Sequence, residues 1–220
     1  VADPHWVDTI NLYRSGSLAS KPVLSPEASS LIDSISPDEE LRQILEHRTQ
    51  ELIEYQNLSF AKDYIDFVGN IYETEKKTRS SSDLSQNVAK YLFKLMATKD
   101  EYEVARLSLK AELDSAISQE FGKSAKINYM LHPPFLKAME NIPVLNMLPG
   151  VKSKLALGSW FKVFYVMLKN MKFLRGTPLD FMAWFSSDVR KADKKALNHY
   201  KSILTKNLSE IGNGKYQDLK

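Results

Sequence analysis

Apolar residues recur at intervals of three and four positions along most of the chain after residue 36, which is the spacing of buried helical faces. A shorter alternation between 126 and 131 predicts a β-strand, and 151–157 can supply its antiparallel partner. The sequence therefore predicts a mainly α, multi-helix domain with at most a small two-stranded β-ribbon. The predicted helical stretches are about 37–75, 83–120, 158–174 and 188–208.

Ser, Pro and Gly residues, which interrupt regular secondary structure, divide the chain into three predicted regions. Residues 1–35 read as a linker or extended segment with one short helix, which Ser25 can cap with Pro26 at its first position. Residues 36–210 are expected to form a single helical domain. Residues 211–220 are expected to be a frayed tail.

The first long helical stretch has a strong start signal. Ser36 can act as the N-cap, and Glu39, three positions later, can complete a capping box. The apolar pattern that follows fits either one very long helix or two helices with a break near Asn57. The last long stretch carries an apolar face that is expected to point inward, formed by Val189, Ala192, Ala196, Tyr200, Ile203 and Leu204.

The run Leu92–Leu107 reads as part of one helix, which Ser82 or Asp83 caps and which ends at Gly122. Its core-facing stripe, once extended, passes through charged positions. Lys99 and Glu103 are four residues apart and Glu103 and Arg106 are three apart, so they can pair along the helix. Charges that face other protein are costly unless they are paired. The pattern therefore predicts a partner carboxylate or backbone packed against this helix; the charged positions on the stripe are Lys99, Glu103 and Arg106.

The same run offers the best setting for acid–base chemistry. Asp100 and Glu101, beside Lys99 and Arg106, can form a catalytic cluster, and Tyr102 lies between them as a candidate structural or interface residue. They can also form a structural ion network, which we favour because such networks perturb pKa values without any catalysis.

The stretch 158–174 is the most apolar part of the chain, but Lys162, Lys169 and Lys172 interrupt it. It is therefore shorter than the unbroken apolar run that a membrane span requires. Its narrow polar stripe predicts a helix surrounded by protein on most sides. A helix lying on a membrane surface is the alternative, although such helices usually carry a broader cationic face.

Composition excludes several kinds of site. The chain has no cysteine, which rules out disulfides, thiolate nucleophiles, Fe–S ligation and cysteine zinc sites. Its four histidines are scattered and lack the spacing of a zinc site, so no metal site is expected. A net charge of +3, with lysines diluted by almost as many acids, gives little support for nucleic-acid binding.

Motifs for phosphate binding and for a nucleophile elbow are absent from the sequence. His132 precedes two prolines at a strand end, where we favour a structural histidine over a catalytic one. Arg175, Gly176 and Thr177 can bind an anion through the guanidinium and backbone amides. They can equally end a helix, with Gly176 at positive φ, and we favour this cap.

Several segments together resemble a known family. Tyr55-Gln56-Asn57 and Asn87–Ala97 are followed by Lys99–Leu107 and Leu131–Pro134, and then by Gly158–Trp160 and Leu174–Asp180. Over residues 37–210 the chain resembles the C-terminal helical domain of the indolepyruvate ferredoxin oxidoreductases, which belong to the 2-oxoacid:ferredoxin oxidoreductase family. The runs Lys99–Leu107 and Leu174–Asp180 are the specific ones.

The resemblance implies a non-catalytic piece of a larger enzyme that converts aryl 2-oxoacids to acyl-CoA and passes electrons to ferredoxin. It implies thiamine diphosphate, magnesium, [4Fe–4S] clusters and CoA in the parent enzyme and none of them in this chain. It also implies a cytoplasmic location, other parent domains as partners, and a homodimer as a further arrangement. No catalytic residue carries over, and membrane or nucleic-acid partners are not expected. The alternative is a stand-alone helical protein-interaction module.

Overall fold

The structure, a computed structural model, describes residues 24–78, 81–122, 128–131 and 155–212. It confirms the mainly α fold, with one two-stranded sheet among the described residues. The chain divides into two compact units, which are described separately. The first holds residues up to Phe93 together with those from Asn207 onward, and the second holds Lys94–Lys206. The single domain predicted over 36–210 stays a prediction.

The first unit begins with helix α1 (Pro26–Asp33), which starts as the sequence predicts. The Ala28 N–H donates to Ser25 Oγ at 3.2 Å, and Pro26 occupies the first turn, where its missing N–H costs nothing. Of the segment predicted over 1–35, residues 1–23 lie outside the described residues.

Helix α2 (Glu39–Tyr55) starts with a different cap from the predicted one. Ser36 adopts a positive φ of 49°, and its hydroxyl donates to the Asp33 carbonyl instead. Asp38, extended and directly before the first helical residue, accepts the Leu41 N–H at 2.9 Å. The prediction of Ser36 as the N-cap was therefore wrong, because the turn places the carboxylate of Asp38 nearer the free amides.

Helix α3 (Leu58–Thr78) begins directly after Asn57. Of the two alternatives that the sequence left open, two helices with a break near Asn57 is therefore the correct one. Asn57 Oδ1 accepts the Phe60 N–H at 2.9 Å and so satisfies a free amide of α3. Helices α2 and α3 pack on each other through buried side chains at helical spacing. The main ones are Leu41, Leu45, Leu52, Ile65, Val68 and Ile71.

Helix α4 (Asp83–Met96) receives its cap from another helix. The N–H groups of Leu84 and Ser85 donate to the carboxylate of Glu75 at 2.9 and 2.8 Å, and the Ser85 hydroxyl donates to it as well. Glu75 is buried. The sequence pointed to Ser82 or Asp83, but it is the side chain of Glu75 on α3 that satisfies these two amides.

The predicted single helix over 83–120 was wrong, because the chain forms three helices there. Helix α4 ends at Met96, α5 spans Glu101–Ser108 and α6 spans Ala111–Phe121. Gly122 follows α6 with a φ of 82°, a conformation that favours glycine, and ends the helix where the sequence predicts.

The β-ribbon is confirmed as an antiparallel pair. Strand β1 (Tyr129–Leu131) pairs with β2 (Leu155–Leu157), with Tyr129 opposite Leu157. Beyond β2 follow a short 3₁₀ helix, helix α7, a second 3₁₀ helix, and helices α8 and α9. Their bounds are Ser159–Phe161, Lys162–Asn170 (α7), Met171–Leu174, Phe181–Phe185 (α8) and Ser187–Gly212 (α9).

The core of the second unit lies where α5 packs against α7. Phe161 and Tyr165 meet edge to face, with their ring centroids 4.9 Å apart. This core fixes α5 beside α7 and so positions the charged residues at the start of α5. Its buried members are Tyr102, Ala105, Phe161, Tyr165, Leu168 and Met182.

Two expected burials were wrong. Helix α7 is not surrounded by protein in this chain, since Val163 is 77 % exposed. On α9, Tyr200 and Leu204 are partly buried, whereas the rest of the face expected to point inward is exposed, namely Val189, Ala192, Ala196 and Ile203. Among the described residues, no helix combines the length and apolar character needed to cross a membrane.

Candidate functional site

The charged run at the start of α5 begins with an N-cap. Asp100 is extended and its Oδ1 accepts the Glu103 N–H at 2.9 Å. An aspartate here satisfies a free amide and also suits the positive end of the helix. Asp100 therefore starts a new helix in the middle of the run that the sequence suggested was continuous.

The same carboxylate binds Arg175, 75 residues further along the chain. Arg175 Nε lies 2.5 Å from Asp100 Oδ2, and Nη2 lies 2.8 Å from Oδ1. This is the two-pronged geometry in which a guanidinium binds a carboxylate most strongly. The contact joins the two segments that carry the specific part of the sequence resemblance.

Asp180 is buried, with 1 % of its surface exposed, less than any other carboxylate of the second unit whose burial the structure describes. It accepts the Tyr102 hydroxyl at 2.9 Å and Arg190 Nη1 at 2.7 Å. It also accepts the N–H groups of Gly176 at 3.0 Å and Ala183 at 3.2 Å. Four donors match the acceptor capacity of a carboxylate, so burial leaves this charge satisfied.

Arg190, on α9, connects several of these groups. Its Nη2 donates to Glu101 Oε2 at 2.9 Å and its Nε donates to Ser186 Oγ at 3.2 Å. Its Nη1, bonded to Asp180, also lies 3.8 Å from Asp100 Oδ2. One guanidinium thus bridges the start of α5, the start of α8 and the start of α9.

Tyr102 lies between the two arginines and Asp180. The Cζ atoms of Arg175 and Arg190 are 5.5 and 5.9 Å from its ring centroid, within the range of cation–π attraction. Burial, followed by the hydrogen bond to Asp180, raises the pKa of the Tyr102 hydroxyl well above its ordinary value. The hydroxyl therefore stays protonated and acts as a donor. We call Asp100, Glu101, Tyr102, Arg175, Asp180 and Arg190 the Tyr102 cluster.

Glu103 and Arg106 form a second pair on α5, each 5 % exposed. Arg106 Nε and Nη2 each donate to one oxygen of Glu103 at 2.8 Å. Because a buried pair costs desolvation energy, its net contribution is small, but removing one partner leaves an unpaired buried charge.

Only some of the predicted site residues come together in the structure. It brings together Asp100, Glu101, Tyr102, Arg175 and Gly176, and it buries Glu103 with Arg106. Lys99 is exposed and precedes α5, so its placement on the buried stripe was wrong. Thr177 is exposed, and its hydroxyl donates to the Leu174 carbonyl at 2.7 Å. His132 lies outside the described residues.

The Arg175–Thr177 turn forms the cap that is favoured from the sequence, and binding of an external anion stays a prediction. Gly176 follows the second 3₁₀ helix with a φ of 77°, which confirms the predicted cap. Arg175 and the Gly176 N–H also bind anions, which are the side chains of Asp100 and Asp180 in the same chain.

Two members of the cluster, Asp180 and Arg190, were missed from sequence. Asp180 directly precedes α8 and accepts the Ala183 N–H, so an N-cap signal before this helix was available. Arg190 is one of several basic residues on α9, and nothing in its local sequence distinguishes it from them.

This arrangement can hold helices together, and its polar groups bind one another. Among the described residues, no group of three or more His, Asp or Glu side chains is placed to hold a metal ion. A cavity of about 220 Å³ lies within the first unit, lined by Leu24, Ser25, Gln50, Ile53 and Glu54.

The chain was compared with known proteins. It matches no curated protein, and it matches no solved structure. Residues 41–219 match the model of a family of unknown function, DUF6537, over most of the chain, and the protein therefore belongs to that family.

Proposed function

We propose that the chain is the non-catalytic C-terminal helical domain of a thiamine diphosphate-dependent oxidoreductase of the indolepyruvate:ferredoxin type. The whole enzyme would oxidatively decarboxylate aryl 2-oxoacids to acyl-CoA and transfer the electrons to ferredoxin in the cytoplasm. The chain alone would be inactive and would serve to pack against other domains of the enzyme.

One observation carries the proposal. The two specific segments of the resemblance, Lys99–Leu107 and Leu174–Asp180, are far apart in sequence but meet in the second unit. Asp100 binds Arg175, and Tyr102 donates to Asp180. Because each segment supplies the hydrogen-bond partners of the other, a structural domain of this kind would need both segments.

The parent enzyme's cofactors do not fit this chain. A [4Fe–4S] cluster needs cysteine thiolates, and the sequence contains no cysteine. The Gly-Asp-Gly signature that the resemblance associates with thiamine diphosphate is also missing from the sequence. In the proposal, other parts of the enzyme hold the thiamine diphosphate with its magnesium, the clusters and CoA, and they also contact ferredoxin.

The second candidate is a stand-alone protein-interaction module. The exposed apolar side chains on α7 support it, since a stand-alone interaction module needs a surface of this kind. Under this alternative, the Tyr102 cluster has the same structural role.

The natural reading frame distinguishes the two candidates. We expect the frame to encode, beside this region, a thiamine-binding domain and cysteine motifs for iron–sulfur clusters. The purified natural protein should then reduce ferredoxin with indolepyruvate and CoA, whereas the 220-residue chain should not. A frame limited to about this chain, with neither kind of domain, would contradict the oxidoreductase proposal and leave the interaction module.

A further inference from the structure

The outer face of α7 and its flanking 3₁₀ helices is an exposed apolar surface. Trp160 is 66 % exposed and Phe173 is 68 % exposed, at opposite ends of the helix. We call the surface formed by Trp160, Val163, Val166, Met167 and Phe173 the α7 face. Apart from a narrow polar stripe with Lys162, Lys169 and Asn170, α7 is apolar, and a helix that is apolar on most sides is normally buried on most sides. The α7 face is therefore suited to contact with something outside this chain.

The charged side chains of α7, its flanking 3₁₀ helices and the turn after them are all basic. The described residues 155–179 contain no Asp or Glu and contain four Lys and Arg, of which Lys162 binds Asp114 and Arg175 binds Asp100. The second unit as a whole has 19 Lys and Arg against 10 Asp and Glu. A partner with carboxylates around an apolar centre would complement this surface, and a second copy of the same face would meet its own positive charge.

A lipid surface fits less well than a protein. Asn170, the last residue of α7, is exposed, and Lys162 is neutralised by Asp114 at 2.8 and 2.9 Å. Helices that lie on membranes normally carry a broad cationic face beside the apolar one. Lys169, exposed next to Asn170, is a single cation of the kind that one carboxylate at the rim of a protein contact would complement.

We propose that the α7 face is a docking site for a protein surface with an apolar centre and an acidic rim. The inference identifies the partner by chemistry only, so it stands whether the partner is another domain of a longer chain or a separate protein. It goes beyond the proposed function, which does not say which face of the domain is in contact.

The test places a photo-crosslinking amino acid at Val163 of the natural full-length protein and irradiates it in its own cells. The same amino acid at Asn198, an exposed position on α9 in the same unit, is the control. The expected product joins position 163 to an apolar peptide flanked by Asp or Glu, outside residues 1–220, and position 198 gives no such product.

Two substitutions test the chemistry of the contact. Val163 is largely exposed, so Val163→Glu should leave the fold intact while placing a charge at the centre of the contact. The yield of that crosslink from a probe at Met167 should fall about tenfold or more in this variant. Lys169→Glu should also lower the yield, whereas Lys194→Glu, on the exposed side of α9, should not.

Four results would overturn the proposal. They are an adduct within residues 1–220 of the same chain, an adduct to a second copy, an adduct to lipid, and a yield at Val163 no higher than at Asn198. If the reading frame lacks thiamine and cluster domains but the acidic, apolar protein adduct forms, the oxidoreductase proposal fails and the docking site stands. If the frame encodes those domains but the adduct does not form, the oxidoreductase proposal stands and the docking site fails.

Discussion

The two units of the chain satisfy their buried polar groups in different ways. In the first, the Glu75 carboxylate accepts backbone amides and a serine hydroxyl, and Tyr64 donates to the Ala89 carbonyl at 3.1 Å. In the second, Tyr102 donates to Asp180, which also binds a guanidinium. These contacts of Glu75 and Tyr64 are with backbone groups and a hydroxyl, whereas the described part of the second unit has ion pairs between distant segments. This difference predicts where a single substitution leaves a charge behind.

The net charges of the two regions differ as well. Residues 1–93 have 9 Lys and Arg against 15 Asp and Glu, whereas the second unit has the opposite excess. The modest total of +3 therefore conceals an acidic and a basic region. A basic region that buries carboxylates among arginines has positive charge left over for a partner.

The largest effect is expected from Asp180→Ala, which removes the acceptor of four donors. Because Arg190 would lose a buried partner and Tyr102 its acceptor, the free energy of unfolding should fall by about 3 to 5 kcal/mol. Urea denaturation measures it. Asp188→Ala, at a side chain that is 97 % exposed, is the matched control and should cost less than about 0.5 kcal/mol. A cost near that of the control would show that the second unit does not depend on its buried ion pairs.

Next in size is Glu103→Ala, which leaves Arg106 buried without its carboxylate. We expect a loss of about 3 kcal/mol in the free energy of unfolding. The double variant Glu103→Leu with Arg106→Leu should be more stable than Glu103→Ala, because no buried charge remains unpaired. A loss under about 0.5 kcal/mol in the single variant would instead indicate an exposed pair.

Glu75→Ala tests the first unit in the same way. It leaves the amides of Leu84 and Ser85 and one hydroxyl without their acceptor, so a loss of about 2 to 3 kcal/mol is expected. Hydrogen exchange at these two amides should accelerate beyond the global effect. Glu73→Ala, exposed on the same helix, should change neither quantity. Unchanged exchange in Glu75→Ala would contradict the assigned cap.

The two buried tyrosines give the smallest and most direct comparison. Burial raises the pKa of both Tyr64 and Tyr102 above the ordinary value of 10.0. Below pH 10 each buried hydroxyl contributes its full stabilisation. This stabilisation is lost as the pH rises above 10, because the tyrosine of the unfolded chain releases its proton at a lower pH than the buried one.

Tyr102→Phe and Tyr64→Phe should therefore each make the alkaline fall in stability shallower. At neutral pH, we expect Tyr102→Phe to cost about 1.5 kcal/mol and Tyr64→Phe about 1 kcal/mol, since only the former loses a charged acceptor. The measurement is urea denaturation from pH 7 upward. If the free energy of unfolding falls with pH as steeply in both variants as in the original chain, the raised pKa of the two buried tyrosines would be contradicted.

Local signals predicted the fold well where one segment decides the outcome. Gly122 and Gly176 end helices at positive φ, and the alternation at 126–131 forms the predicted ribbon. The stripe through Leu92–Leu107 failed at Lys99 because α4 ends at Met96 and α5 begins at Glu101. Lys99 lies in the break between the two helices and is exposed, whereas Glu103 and Arg106, further along the extended stripe, are buried as predicted.

The candidate site was harder to predict, because its partners are far apart in sequence. Tyr102 and Asp180 are 78 residues apart, and Arg190 and Glu101 are 89 apart. The charged run on α5 indicated that partners must exist, but tertiary packing alone determines which they are. The caps by Asp38 and Glu75 were missed for a related reason, since turn geometry selects among several nearby acceptors.

The central claim is that the charged run on α5 is held by Arg175 as a structural contact. A double-mutant cycle with Asp100→Ala, Arg175→Ala and the double variant, read by urea denaturation, tests it most directly. Since the bidentate pair is largely buried, we predict a coupling energy of about 2 kcal/mol or more. Additive losses, with a coupling below about 0.5 kcal/mol, would contradict the account.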